Sequence, residues 1–187
     1  NNKKAKLGLT ALGGGQLPTK GQAPPQVTIE QLVNLYSQGQ VQTVILQAQQ
    51  LILRYPSSFM LWNILGVASS RLGKIAEATK AFRKVVQYNP YFADGYSNLG
   101  IALGDQGQLD EAITAYKKAI QLKPDFLEAY NNMGTALRRK GEVEQAINCY
   151  KRVISLKADY AEAYNNLGVA LAEAGRFKEA MDNYEQV

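Results

Sequence analysis

The chain has no histidine, one cysteine and one tryptophan among its 187 residues. Without an imidazole there is no general base of the commonest kind, no Ser-His-Asp set and no partner for Cys149, so the familiar acyl-transfer sites are excluded. A lone cysteine cannot close an internal disulfide, and the missing histidines and cysteine pairs remove the usual zinc sites. No G-x-x-x-x-G-K-[ST] run is present to cradle phosphate. No apolar run approaches the roughly 20 residues of a membrane span. These gaps describe a cytoplasmic chain with no catalytic constellation, no cofactor and no metal.

Charge is scarce in one place and abundant in another. The formal net charge is +5, but Lys3, Lys4, Lys6 and Lys20 precede residue 27, where there is no acid. The remainder carries 17 bases against 16 acids. Such a surface attracts phosphate backbones poorly, which argues against nucleic acid as a partner. Residues 1–24 hold Gly13, Gly14, Gly15, Gly21, Pro18 and Pro24, the composition of a flexible tail. Leu7, Leu9, Leu12 and Leu17 are its apolar content, and docking of these on a repeat surface, its own or a neighbour's, would offset the ordering entropy.

Beyond residue 24 the chain repeats itself. A shift of 34 residues places Gly39, Gly73, Gly107, Gly141 and Gly175 in one column and Pro56, Pro90 and Pro124 in another. Further columns hold Trp62, Tyr96, Tyr130 and Tyr164; Leu65, Leu99, Met133 and Leu167; and Gly66, Gly100, Gly134 and Gly168. Two more hold Ala78, Ala112, Ala146 and Ala180, and Phe82, Tyr116, Tyr150 and Tyr184. Within the unit Ala93 to Phe126, apolar residues recur every three to four positions on both sides of Gly107, so each unit is two amphipathic helices. The glycine column is a helix stop at positive φ, and Pro124 ends the second helix. Gly100 and Ala112 lie mid-helix, where their small size lets paired helices approach.

This unit resembles the tetratricopeptide repeat, whose 34-residue pattern is an aromatic, Leu-Gly, Gly, Ala, an aromatic, Ala and Pro. The longer pentatricopeptide period fits less well. The resemblance implies an all-α fold, a right-handed superhelical solenoid of antiparallel helix pairs. Its boundaries are a divergent repeat 1 at 25–58, repeats 2 to 4 at 59–92, 93–126 and 127–160, and a truncated repeat 5 at 161–187. In repeat 1, Leu32, Val44 and Leu51 replace small residues, which predicts a splayed or repacked pair. At the other end, Leu167, Leu171, Phe177 and Met181 belong to faces that interior repeats cover. This predicts either continuation of the chain or self-association through the C-terminal repeat, with the N-terminal tail as another self-association element.

Polar residues also repeat. Asn98, Asn132 and Asn166 share one column, and Asn63, Asn131 and Asn165 share positions in the neighbouring one. Asparagine is a mediocre helix former, so its recurrence mid-helix asks for a use. The Tyr-Asn-Asn-Leu-Gly block resembles the asparagine ladder of O-linked N-acetylglucosamine transferases, where first helices line a concave groove. An amide donates and accepts at once, so one asparagine can grip one backbone amide of an extended peptide. Helix pairs about 8–10 Å apart would meet every third residue of a strand rising about 3.3 Å each. Glu128 on one edge and Arg138 on the other would add selectivity. The carboxylate clamp of chaperone-tail adaptors is not matched: the equivalent positions are Asn63, Val67, Asn98, Glu128 and Asn132, and Glu128 repels a carboxylate. The implied function is a protein-interaction scaffold for an extended peptide. The alternative is the substrate-presenting module of a larger glycosyl-, sulfo- or methyltransferase.

Overall fold

A computed structural model of the chain describes residues 23–185. The tail leucines Leu7, Leu9, Leu12 and Leu17 lie outside them. The described residues form ten α-helices and no strand: α1 (Gln26–Ser37), α2 (Val41–Arg54), α3 (Phe59–Arg71), α4 (Ile75–Tyr88), α5 (Ala93–Asp105), α6 (Leu109–Leu122), α7 (Leu127–Arg139), α8 (Val143–Leu156), α9 (Ala161–Glu173) and α10 (Phe177–Tyr184). Two compact units divide them, one ending at Gly95 and one beginning at Tyr96.

The turn inside each pair follows from the first glycine column. Gly107 has φ of +76° and Gly141 +88°, the left-handed region that only glycine enters without a Cβ penalty. The amide of the following residue then bonds a carbonyl in the last helical turn, as Gln108 does to Leu103 O at 2.9 Å and Glu142 to Leu137 O at 2.9 Å. Second helices open on acids, Glu77 in α4, Asp110 and Glu111 in α6 and Glu144 in α8, which suits the positive end of the helix dipole.

The mid-helix glycines have a sharper purpose than close approach of two backbones. A Cβ at Gly100 would stand 2.6 Å from the Tyr116 ring, and one at Gly134 would stand 2.6 Å from the Tyr150 ring. Each glycine is the floor on which the aromatic of the next helix lies. Tyr150 is fully buried and Tyr116 nearly so.

Unit 1 holds α1 to α4 and the start of α5. Its first pair is repacked by exchanging large for small: Leu32 stands in the glycine column and Ala48 in the aromatic column, both with no exposure. Val44, Leu51, Leu61 and Ala81 belong to the same cluster. Trp62 closes the α2–α3 turn by donating from Nε1 to Pro56 O at 2.8 Å.

Unit 2 holds the rest of α5 and α6 to α10. Here α6 packs on α7, α7 on α8 and α8 on α9, with α7 also touching α9. At its C-terminal side the structure corrects one expectation. Leu167 and Leu171 are buried within the unit, whereas Phe177 and Met181 are exposed. Of the four residues, those of α9 are therefore covered and those of α10 are open. Among the described residues no helix is long and apolar enough to cross a membrane.

Candidate functional site

In unit 2 the first helix of each pair, α5, α7 and α9, carries the asparagine columns. Asn98, Asn132 and Asn166 are each half-buried, and each is followed in sequence by a buried apolar residue, Leu99, Met133 or Leu167, and then by glycine. Asn132 makes no side-chain hydrogen bond to any described residue. Asn166 donates from Nδ2 to Asn131 Oδ1 at 3.0 Å.

Asn131 departs from the sequence expectation. It is 3% exposed, and besides accepting from Asn166 it donates from Nδ2 to Glu162 Oε1 at 2.8 Å. Its amide is committed to the α7–α9 junction rather than to a ligand. Asn165, its equivalent one repeat later, is exposed. Asn63 belongs to unit 1, where it is half-buried on α3. The structure therefore brings Asn131, Asn166 and Glu162 together, with Asn132 next to Asn131 in α7, and places Asn63 in the other unit.

Charges frame this face at its two ends. Glu128 and Glu162 open α7 and α9 and are exposed, and Tyr160 is half-buried beside them. Burial, and then the negative charge of Glu162 and Glu128, raises the Tyr160 phenol. At the opposite end Arg138 donates to Glu173 Oε1 at 2.6 Å, and Arg139 donates from Nη1 to Gly104 O at 2.9 Å. Burial works against the Arg138 charge, but the hydrogen bond and charge of Glu173 outweigh it, so that guanidinium stays firmly protonated. Below lies Tyr150, whose hydroxyl is 3.2 Å from Thr135 Oγ1. Burial raises its pKa, opposed by Thr135 and Arg138.

Two partners in this arrangement, Glu173 and Thr135, are not evident from the 34-residue columns. The signal that finds Glu173 is a different offset. Asn131 to Asn166, Arg138 to Glu173 and Gly104 to Arg139 are each separated by 35 residues. Columns align equivalent residues, while contacts join a residue to the one just after its equivalent.

Elsewhere the described residues offer little chemistry. Cys149 is buried, and burial pushes its thiol up to about 11, so it stays protonated near neutrality. No group of three or more His, Cys, Asp or Glu suited to a metal occurs among the described residues. A cleft of about 500 Å³ opens in unit 1 between Ile29 and Glu30 of α1 and Ser58, Phe59 and Met60 at the start of α3, with Glu30 the one ionisable group among the described residues that line it.

Comparison with known proteins agrees with this architecture. A TPR repeat profile matches residues 102–141 and 134–175, and tetratricopeptide repeat profiles match 81–114 and 61–92. No curated protein matches the chain in sequence. Among solved structures it is similar to MamA, with TM-score 0.79 and 24% identity over 83% of this chain and 91% of that one. MamA 41-end from Desulfovibrio magneticus RS-1 gives TM-score 0.78 and 17% identity over 83% and 88% of the two chains. YrrB, a TPR protein with an unusual peptide-binding site, gives TM-score 0.74 and 19% identity over 87% and 84%. At these identities the likeness is one of fold. With profiles covering most of the repeats and the helix pairs built as the columns require, the chain belongs to the tetratricopeptide repeat family.

Proposed function

We propose that the chain is a protein–protein interaction scaffold that binds an extended peptide segment on the α5–α7–α9 face of unit 2. The observation that carries this reading is Asn132. This residue is half-buried, makes no side-chain hydrogen bond to any described residue, and stands in the same column as Asn166, which bonds Asn131. A half-buried amide left without a protein partner is costly unless water or a ligand satisfies it. Asn166 keeps one N–H and its Oδ1 after bonding Asn131, which is one donor and one acceptor, the complement of a peptide unit. Each rung contributes about 0.5–1.5 kcal/mol net, so the ladder supplies modest affinity that tolerates sequence. Glu128 and Arg138 at the two ends bias which side chains are accepted. The likeness of fold to YrrB is consistent with this use.

The test is selection of binders from a random 12-residue peptide library, followed by titration of a selected peptide against wild type and Asn132→Ala. Affinity falls roughly 3- to 10-fold on loss of one rung, while the melting temperature is unchanged because Asn132 holds nothing in place. Peptides that bind the variant equally well, or that crosslink to α2, α4, α6 or α8 instead, would overturn the assignment.

A further inference from the structure

The cleft in unit 1 has a counterpart in unit 2 that an aromatic ring occupies. Three periods of 34 residues carry Gln26, Ile29, Glu30, Ser58 and Met60 of its lining onto Glu128, Asn131, Asn132, Tyr160 and Glu162. There Asn131 bonds Glu162, and the half-buried Tyr160 stands near enough to Glu162 and Glu128 to feel both charges. The residue just before the first helix of a pair is aromatic throughout the later repeats, Phe92 before α5, Phe126 before α7 and Tyr160 before α9. Before α1 and α3 it is Pro24 and Ser58, and both line the cleft. Serine in place of tyrosine leaves the volume of a ring open, and Gln26 and Met60 in place of Glu128 and Glu162 make the walls uncharged. The cleft is thus space that a large apolar side chain from the preceding loop fills in the later repeats.

We propose that Leu12 and Leu17 of the same chain fill this cleft between α1 and α3. The segment that precedes α1 stands where the loops with Phe126 and Tyr160 stand in unit 2, and its large apolar side chains are leucines. Ala23 and Pro24 are part of the wall, so that segment leaves from the edge of the cleft itself. Six residue steps from Ala23 to Leu17 span at most about 20 Å, and a tether this short holds its end at an effective concentration on the order of millimolar. An apolar cavity of about 150 Å³ is large enough to hold benzene, so about 500 Å³ takes two leucine side chains. Their burial against Ile29 and Met60 removes apolar surface from water, since Met60 is 46% exposed in the described chain. Charge agrees with this occupant. Residues 1–22 contain no acid, and Lys20, between Leu17 and Ala23, complements Glu30, the one ionisable group among the described lining residues. The inference concerns unit 1 alone and does not depend on peptide binding by the asparagine face.

Limited trypsin digestion of the full chain tests this, because Lys20 lies between Leu17 and the edge of the cleft. Leu12→Ser/Leu17→Ser speeds cleavage after Lys20 at least about fivefold, whereas Gln16→Ser, which removes no apolar side chain, leaves the rate unchanged. Ser58→Tyr restores the ring of the later repeats and speeds the same cleavage by displacing the leucines, with helicity by circular dichroism retained. The rate is independent of protein concentration from about 5 µM to about 500 µM, since the contact is made within one chain. As a second readout, methyl spectra of the three methionines show Met60 shifted by Leu12→Ser/Leu17→Ser, with Met133 and Met181 in unit 2 unmoved. Cleavage untouched by the leucine changes, an unmoved Met60 methyl, or protection that grows with protein concentration, the mark of a second copy as the source, would each overturn the inference.

Discussion

Adding one methyl group to unit 2 at two equivalent glycines should have unequal consequences. A Cβ at Gly134 would lie 2.6 Å from Tyr150 Cε1 and one at Gly168 would lie 2.5 Å from Tyr184 Cε1, so the clash is the same in kind. What differs is whether the ring can give way. Tyr150 has no exposure and its hydroxyl is held 3.2 Å from Thr135 Oγ1, while Tyr184 is 43% exposed. Both changes gain helix propensity, about 1 kcal/mol for glycine to alanine. Against this, overpacking a fixed ring costs about 1–3 kcal/mol, and the enclosed Tyr150 belongs at the upper end. Gly134→Ala is therefore destabilising by about 2 kcal/mol, or about 4–8 °C in melting temperature for a chain of this size. Gly168→Ala is neutral within about 0.5 kcal/mol, because Tyr184 swings outward at little cost. Thermal unfolding followed by circular dichroism measures both. Replacing the ring as well, in Gly134→Ala/Tyr150→Leu, should recover part of the loss relative to Tyr150→Leu alone, since the coupling between the two sites is steric. Equal effects at the two glycines, or a Gly134→Ala variant as stable as wild type, would refute the view that the glycine column exists to seat the aromatic.

Two further outcomes follow from buried groups. Asn131→Ala should destabilise by about 1–3 kcal/mol, because it orphans Asn166 and Glu162 across the α7–α9 junction, whereas Asn165→Ala at the exposed equivalent should be neutral; chemical denaturation of the pair distinguishes them. The Cys149 thiol is raised by burial from 9.0 to about 11, and burial also raises Tyr116 and Tyr150. A raised folded-state pKa means that the unfolded chain releases its proton first, so this stability is complete below about pH 9 and is lost as pH rises through 11. Cys149→Ala should flatten that alkaline slope in denaturant titrations between these limits, and thiol labelling of the wild type at pH 8 should be slow until the chain unfolds.

The fold could be read from the sequence because each column is a local physical requirement. Gly107 and Gly141 are needed for positive φ, and the alternation of apolar residues on either side is needed for two buried stripes. The first pair was harder to read because Leu32 and Ala48 each look like a defect when taken singly, and only together are they a volume-conserving exchange. The candidate site was legible in composition and not in geometry, and the reason is the stacking of one helix pair on the next. Equivalent residues repeat every 34 positions, but the bonds that join successive pairs here span 35 residues, as in Asn131–Asn166 and Arg138–Glu173, or 31, as in Asn131–Glu162. A column of asparagines therefore does not say whether a given amide faces a groove or a neighbouring helix. The residue one period and one position away decides that. Asn131 meets Asn166 at this offset and is consumed; Asn132 stands in the Asn166 column, where the residue 35 positions back is Ser97, whose short side chain makes no hydrogen bond to it. Two adjacent asparagines on one helix thus differ by whether the neighbour at this offset has a side chain long enough to reach, an asparagine for Asn131 and a serine for Asn132, so alanine should lower stability at the first and ligand affinity at the second.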